Sequence, residues 1–570
     1  MNLGLFMAKL AKNVVAVQLE HGTLLATIRK SVKAKTLSPA TEMYFCDLLE
    51  RQAEKQGRKI FLNYLHKRYS YADMNLNANR VAHGLIGLSA KPRDGVAIMT
   101  ANSPAYYDVF FAAQKLGMFA VPTNTALRGD GLAYLLTNSG VRFLFIHPSL
   151  LPYFESIRDK VKSVERVIVD ETEDPAGEMA DGYARASSLY DDTLPLTRPV
   201  PRPTTGDLAV LMYTSGTTGL PKGVVYRHGD SMLSMIEALG RTMVAPDDVM
   251  YTCLPLYHAN ALFVTSLTAI GAGASVALDK KFSASQFWDR CRFYNATTFN
   301  LLGAMIPILM KQPERPDDRD HQIRRVVTSA CPAELWEKFE QRFGVEIWEG
   351  YGAVDGGGVL IMNIGNAPKG SIGKPLGAKI RVVDSEGNDV KPGERGELLL
   401  QARKGKSKSD GSVEYYGNDQ ATDKKVRDGW IRTGDYVYAD KKGYLYFVGR
   451  DSESMRRRGE NVSTYEVEVE IMKHPAVQEA AVYGVPAELG EDDIMASLVL
   501  VPDKEVAPAE LIQFLSDKLA YFAVPRYWRI MPELPKTGTH RVIKGELQKL
   551  GVTPDTFDAE KAGVMPKRRA

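Results

Sequence analysis

The stretch Tyr213-Thr-Ser-Gly-Thr-Thr-Gly-Leu-Pro-Lys222-Gly223 sets the architecture around it. Three glycines, four aliphatic hydroxyls and one lysine fall within eleven residues, directly after the apolar run Leu208-Ala-Val-Leu-Met212, which has the pattern of a buried strand. Gly216 and Gly219 let backbone N–H groups converge on an anion, Thr214, Ser215, Thr217 and Thr218 add donors, and Lys222 adds charge. That combination describes a phosphate-binding loop. It is not a loop of the Walker type, because Pro221 stands where glycine is required and Gly223 where serine or threonine should follow the lysine. A plain surface turn also draws on Gly, Ser and Thr, but it accounts for neither the preceding strand nor the Pro-Lys ending.

At 570 residues the chain is too long for one core, so two or more domains are expected. Hydrophobic content of 44% and charged content of 25% are ordinary for a globular protein, and a net charge of +3 sets nucleic-acid binding aside. The charge is uneven: within residues 1–36, Lys9, Lys12, Arg29, Lys30, Lys33 and Lys35 oppose only Glu20. This basic, amphipathic segment suits peripheral contact with an anionic membrane, and equally a helix packed on its own domain. Cys46, Cys253, Cys291 and Cys331 are widely spaced, which argues against a zinc site or a disulfide framework and suits a reducing cytoplasm. No apolar run is long enough for a spanning helix.

Further motifs follow in order: Gly350-Tyr-Gly-Ala-Val-Asp355, Trp430-Ile-Arg-Thr-Gly-Asp435, and Gly449-Arg450 followed by Arg458-Gly-Glu-Asn-Val462. Together with the loop they resemble the adenylate-forming superfamily of acyl-CoA synthetases, luciferases and peptide-synthetase adenylation domains, over about Glu42 to Lys549. Within it, Thr123-Asn-Thr-Ala-Leu-Arg128 and Lys280-Lys-Phe-Ser-Ala-Ser-Gln-Phe-Trp288 are similar to the fatty-acid transport proteins, the very-long-chain branch. Arg457-Arg-Gly-Glu-Asn461 and Tyr521-Phe-Ala-Val-Pro-Arg526 look like the crotonobetaine/carnitine-CoA ligases.

The periodicity predicts helices over 41–57, 74–88, Ser103 to Leu116 and 129–138, alternating with strands at Lys59–Tyr71, Gly95–Met99, Met118–Pro122 and Val141–Ile146. This alternation implies parallel sheets covered by helices. Residues 170–206 read as a connector, after which the loop opens a second α/β unit; residues 371–450 read as a β-rich subdomain. Past Arg450, a helix at 464–473, strands at 477–483 and 495–501, a helix at 509–519 and a last strand at 527–530 make a small α+β unit. The expected fold class is α/β: a large N-terminal adenylation domain, 37–450, of stacked α/β subdomains plus a β-rich subdomain. A small mobile α+β C-terminal domain, 451–570, follows, and the basic segment, 1–36, precedes.

The resemblance implies an ATP-dependent acid:CoA ligase that forms acyl-AMP and then acyl-CoA, with ATP, Mg2+ and coenzyme A. A carboxylate becomes electrophilic only once AMP supplies a leaving group, and the charge gathering on the α-phosphate calls for fixed donors, cations and a metal. By resemblance the loop with Lys222 grips phosphate, Tyr351 stacks on adenine beside Gly352, and Asp435 accepts the ribose hydroxyls. Arg450 meets ribose and phosphate, Gly459, Glu460 and Asn461 border the pantetheine path, and Tyr257 and His258 wall the acyl pocket.

Three positions depart from the family pattern. Val354-Asp355 replaces Thr-Glu, leaving Asp355 as the metal residue; Ser452 sits at the hinge; and Arg541 stands where the adenylating lysine belongs, with Lys544 or Lys536 near it. Medium to long fatty acids are the favoured substrates. A small polar acid of the carnitine type, transfer to a carrier-protein thiol, and a fatty-acid binding or uptake protein with weak ligase activity are the alternatives. Oligomeric state is open, a homodimer included.

Overall fold

The computed structural model describes residues 43–174, 182–200, 202–214, 221–302, 305–329, 331–356, 358–365, 367–376, 379–402, 412–450, 454–457, 460–486, 492–516, 518–519, 522–537 and 542–566. Ser215, Gly216, Thr217, Thr218, Gly219, Ser452, Gly459, Arg541 and residues 1–36 lie outside these, as do the side chains of Arg450, Glu460 and Asn461.

The protein is a mixed α/β fold with a large N-terminal part and a small C-terminal domain. Two large sheets form the α/β core of the large part, and a third, five-stranded and antiparallel, between Ile380 and Arg450, makes its β-rich subdomain. In the first, Gly95–Met99 lies between Phe119–Pro122 and Phe143–Ile146, all parallel, with Arg166–Val169 and Ala184–Arg185 beyond. In the second, Ser275–Leu278, Val249–Thr252, Thr298–Leu302, Arg325–Ser329 and Glu346–Ala353 run parallel in that order.

The helix Pro104–Leu116 fills the space between the sheets, and every one of its residues is buried. Its start is dictated locally: Ser103 accepts the Tyr106 N–H, Pro104 presets the first turn, and Gly117 closes the end in the left-handed region at φ 68°. Tyr106, Tyr107, Phe110 and Phe111 are fully buried there, each contributing about 1.5–3 kcal/mol of transfer free energy. Lys115, on the same helix, is also fully buried; its ammonium is held by Glu50 and by Asn75 at 2.8 Å. Cys46, Asp47 and Glu50 cluster closely enough to suggest a metal, but Lys115, Arg198 and Arg202 already balance their charge. All four cysteines are buried and free.

Most predicted elements are present within a few residues of their expected bounds. The loop's setting is different. Leu208–Thr214 and Lys222–Arg227 are antiparallel neighbours at the edge of the first sheet, so the loop joins a hairpin and does not open a second α/β unit. The reason is local: Gly223-Val-Val-Tyr226 continues as a strand, and Val224 and Val225 are buried. Of the stretch Lys280–Trp288, only Phe287 and Trp288 lie in a helix, Phe287–Phe293. Tyr527–Ile530 is not the last strand, since the helix Lys544–Leu550 and the short strand Phe557–Asp558 follow it. Among the described residues, no helix is long and apolar enough to cross a membrane.

Candidate active site

The hairpin strands carry Thr214 and Lys222 as register partners at the mouth of the loop. The Lys222 ammonium stands 5.1 Å from the centre of the Tyr415 ring, a cation–π contact that aims it across the cleft. The Tyr415 hydroxyl donates to Asp355 Oδ2 at 2.6 Å, and Lys425 Nζ pairs with the same oxygen at 2.9 Å. Burial, together with the Asp355 carboxylate, pushes the Tyr415 phenol pKa far up, so this hydroxyl stays a donor. Tyr226 donates to the Val354 carbonyl at 2.8 Å and fixes the backbone that presents Asp355. Lys222, Tyr415, Lys425 and Asp355 thus form one connected charged cluster.

A second group sits where the strands Glu346–Ala353 and Trp430–Ala439 approach. The Tyr351 hydroxyl donates to Asp435 Oδ2 at 2.6 Å, and Asp435 is 1% exposed. Gly434, at φ 73°, turns the chain so that its own N–H reaches Glu397 at 3.2 Å, while Thr433 accepts the Asp435 N–H at 3.0 Å. Asp435 pairs in register with Arg450 on the antiparallel strand Leu445–Arg450, which puts the two residues side by side. The Tyr351 ring belongs to a buried core with Ile361 and Leu398; Gly350, Gly352 and Asp435 line the cleft, and Tyr351 itself does not.

The third wall is apolar. The helix Ser231–Met243 and the π-helical stretch Asn260–Leu267 face the sheet formed by Val249–Thr252, Thr298–Leu302 and Arg325–Ser329. Met232, Ile236, Leu239, Met243, Phe263 and Val327 line the space between them. At its entrance the Tyr257 and His258 rings lie 4.6 Å apart. Burial pushes the His258 pKa down to about 4, so the imidazole is neutral at ordinary pH. At the sheet end, Arg325 lies 4.7 Å over the Trp348 ring, pairs with Asp248 at 3.6 Å and donates to the Met243 carbonyl at 3.0 Å.

From the C-terminal domain, Lys544 reaches the cleft but is engaged at home: its ammonium donates to Thr464 Oγ1 at 2.9 Å and pairs with Glu468 at 2.8 Å. Glu460 and Asn461 lie on a strand paired with Ser454–Arg457. The three walls and the C-terminal domain enclose a continuous cleft of about 2310 Å³. Of the residues singled out from sequence, Thr214, Lys222, Tyr257, His258, Gly352, Asp355, Asp435 and Lys544 all line it. Tyr415, Lys425 and the apolar wall are missing from that set. The spacing of Met232, Ile236, Leu239 and Met243 along one helix was the available signal for the wall; nothing local marks Tyr415 or Lys425.

The AMP-binding enzyme family matches residues 49–404, and the AMP-binding enzyme C-terminal domain matches residues 466–541. A crotonobetaine/carnitine–CoA ligase of Salmonella paratyphi B is 32% identical over 493 residues, covering 85% of this chain and 93% of that protein. Among solved structures, the anthranilate CoA ligase AuaEII in complex with anthranoyl-AMP superposes with a TM-score of 0.80 at 26% identity, covering 91% of this chain and 98% of that one. The Bacillus subtilis O-succinylbenzoate CoA synthetase, in complex with ATP and magnesium ion, gives 0.72 at 25% identity, covering 88% and 98%. The chain belongs to the AMP-binding enzyme family and is an AMP-forming acid–thiol ligase that makes acyl-CoA through an acyl-adenylate, using ATP, Mg2+ and coenzyme A.

Proposed function

We propose that this ligase activates medium- to long-chain fatty acids. The observation that carries the reading is the third wall, where methionine, isoleucine, leucine and phenylalanine side chains flank a space that a hydrocarbon chain fills at a gain of about 0.8 kcal/mol per buried methylene. Flexible methionines adapt such a wall to chains of differing length. The likeness of 123–128 and 280–288 to the fatty-acid transport proteins points the same way.

In the first step a carboxylate oxygen attacks the α-phosphorus of ATP, and the bond to the bridging oxygen of pyrophosphate breaks. Lys222 and the loop hydroxyls hold the phosphates, Asp435 accepts from the ribose hydroxyls, and Tyr351 holds Asp435 in place from beneath. Asp355 fits Mg2+, which takes one or two carboxylates plus phosphate oxygens, and the ion supplies charge neutralisation on the phosphates. Lys425 would then give up its contact with Asp355. Arg541, with Lys544 released from Glu468, serves this step. After a rotation pivoting at Ser452, Gly459, Glu460 and Asn461 border the path of the CoA thiol, which attacks the acyl carbonyl and expels AMP.

A second reading, a small polar acid, is favoured by the 32% identity to the crotonobetaine/carnitine–CoA ligase. Pyrophosphate release and thioester formation across an acid panel, with and without CoA, separate the two. Higher kcat/KM for medium and long chains than for carnitine or crotonobetaine is expected; the reverse order would overturn the assignment.

A further inference from the structure

The seam between the large part and the C-terminal domain carries one contact that the local backbone is shaped to make. The short helix Met305–Met310 follows the acyl-wall strand Thr298–Leu302, and Arg342 pins the chain beyond it by donating to the Met310 and Pro313 carbonyls, each at 2.8 Å. Lys311 leaves from between these two anchors. Its ammonium crosses the seam and donates to the Val477 carbonyl and, at 3.0 Å, to the Gln478 carbonyl. Consecutive carbonyls of an unbroken strand point to opposite sides. Here Val477 faces Leu500 and Glu479 faces Val499, so Gln478 is the extra residue of a β-bulge, and the bend it makes brings both carbonyls to one donor.

The same bulge leads to the residues of the first chemical step. Next to Gln478, the Glu479 carboxylate accepts from Lys536 at 2.7 Å. Lys536 bridges antiparallel to Val542, and the Ile543 N–H donates to the Pro535 carbonyl at 2.8 Å, so the chain on both sides of Arg541 is tied together. Thr537, Val542 and Lys544 line the cleft. Docked on Lys311, the domain therefore presents to the cleft the segment to which adenylation is assigned. The other contact across the seam, Lys473 with Glu334 at 3.2 Å, joins two well-exposed groups, a kind of pair worth little. Hydrogen bonds from a charged donor are the stronger kind. A rotation pivoting at Ser452 has to break both of those made by Lys311, so they favour the first arrangement over the second.

We propose that Lys311 is a positioning residue: it latches the bulge at Gln478 and, through Glu479 and Lys536, keeps the Arg541 segment at the cleft during adenylation, then releases the domain before CoA attacks. The inference rests on the roles given above to Arg541 and to the domain rotation, and adds to them the residue that sets the balance between the two arrangements.

The test measures the two half-reactions separately, with dodecanoate and in parallel with crotonobetaine: acid-dependent ATP–pyrophosphate exchange without CoA, and acyl-CoA formation from the preformed acyl-adenylate and CoA. Lys311→Met is expected to lower exchange by about tenfold or more, the scale of losing hydrogen bonds from a charged donor, while thioester formation from the adenylate stays within about twofold of wild type. Glu479→Gln leaves Lys311 and its two carbonyls in place; it is expected to shift the ratio of the half-reactions in the same direction, and it decides the matter if Lys311→Met does not fold. A contact that merely holds the fold together would lower both half-reactions by the same factor. That result, an unchanged exchange rate, or a loss confined to thioester formation overturns the proposal. Arg541→Ala, run alongside, is expected to lose exchange as well; wild-type exchange in that variant would be a different failure, overturning the role of Arg541 itself.

Discussion

Asp435 and Tyr351 show how a single side chain acquires its task. A carboxylate buried to 1% exposure costs free energy unless donors surround it, and the Tyr351 hydroxyl at 2.6 Å is one of them. Asp435→Asn exchanges a charged acceptor for an amide that also donates, so kcat/KM for ATP is expected to fall by about 1.5–3 kcal/mol, or roughly 10- to 150-fold. Tyr351→Phe removes only the supporting bond and is expected to cost about 1 kcal/mol, seen mainly as a raised KM for ATP. Steady-state kinetics with ATP varied separates the two; equal losses would mean that Tyr351 does more than hold Asp435. The Trp430-to-Asp435 motif is legible in the sequence because its residues are contiguous. Lys425 and Tyr415 are not, because each meets Asp355 only after a β-rich subdomain folds back across 60 or more positions. Conversely, Lys544 lies in the cleft as its motif suggests, yet Glu468 and Thr464 claim its ammonium, a competition that no linear spacing reveals.

At the level of elements, the acyl wall depends on how closely its helix can approach its neighbour. A Cβ on Gly240 would lie 2.4 Å from the Thr268 carbonyl oxygen, and one on Gly271 would lie 3.0 Å from Glu237 Cα. The helices Ser231–Met243 and Thr268–Ala272 therefore touch backbone to backbone. Gly240→Ala improves helix propensity by about 1 kcal/mol but forces the helices apart, and the overpacking cost of about 1–3 kcal/mol is expected to win. The variant should melt at a lower temperature, with the chain-length optimum shifting because Met232, Ile236 and Leu239 ride on the displaced helix; thermal unfolding and an acid panel measure both. An unchanged melting temperature would show that the contact relaxes freely. Helix existence follows from periodicity and capping, as at Ser103-Pro104, so most elements are evident from the chain alone. Sheet membership is not. The hairpin carrying Lys222 and the π-helical turn at Asn260–Leu267 depend on tertiary pairing, and the Gly-Ser-Thr loop composition serves a β-hairpin as well as a strand–helix junction.

Across the whole molecule, the C-terminal domain rests on the large one through Lys311, whose ammonium donates to the Val477 carbonyl and, at 3.0 Å, to that of Gln478. Lys473 adds a contact to Glu334 at 3.2 Å. Burial pushes the Lys311 pKa down from 10.5 to about 8. Between about pH 8 and 10.5 the unfolded chain therefore holds the extra proton, so the contribution of this site to stability rises with pH across that window and is flat below it. Lys311→Met is expected to remove that rise, as read from denaturant unfolding at pH 7.5, 9 and 10; an identical pH slope in wild type and variant would contradict it. The cleft that this contact helps to close brings the hairpin lysine, the buried aspartate and the apolar wall into one space, which joins an acid to AMP and then to a thiol. A crystal structure with a non-hydrolysable acyl-adenylate tests that arrangement most directly. The phosphate is expected beside Lys222, the ribose hydroxyls on Asp435, and the acyl chain running past Tyr257 and His258 between the helix Ser231–Met243 and the sheet. A ligand bound with its ribose away from Asp435, or with its chain outside that wall, would contradict it.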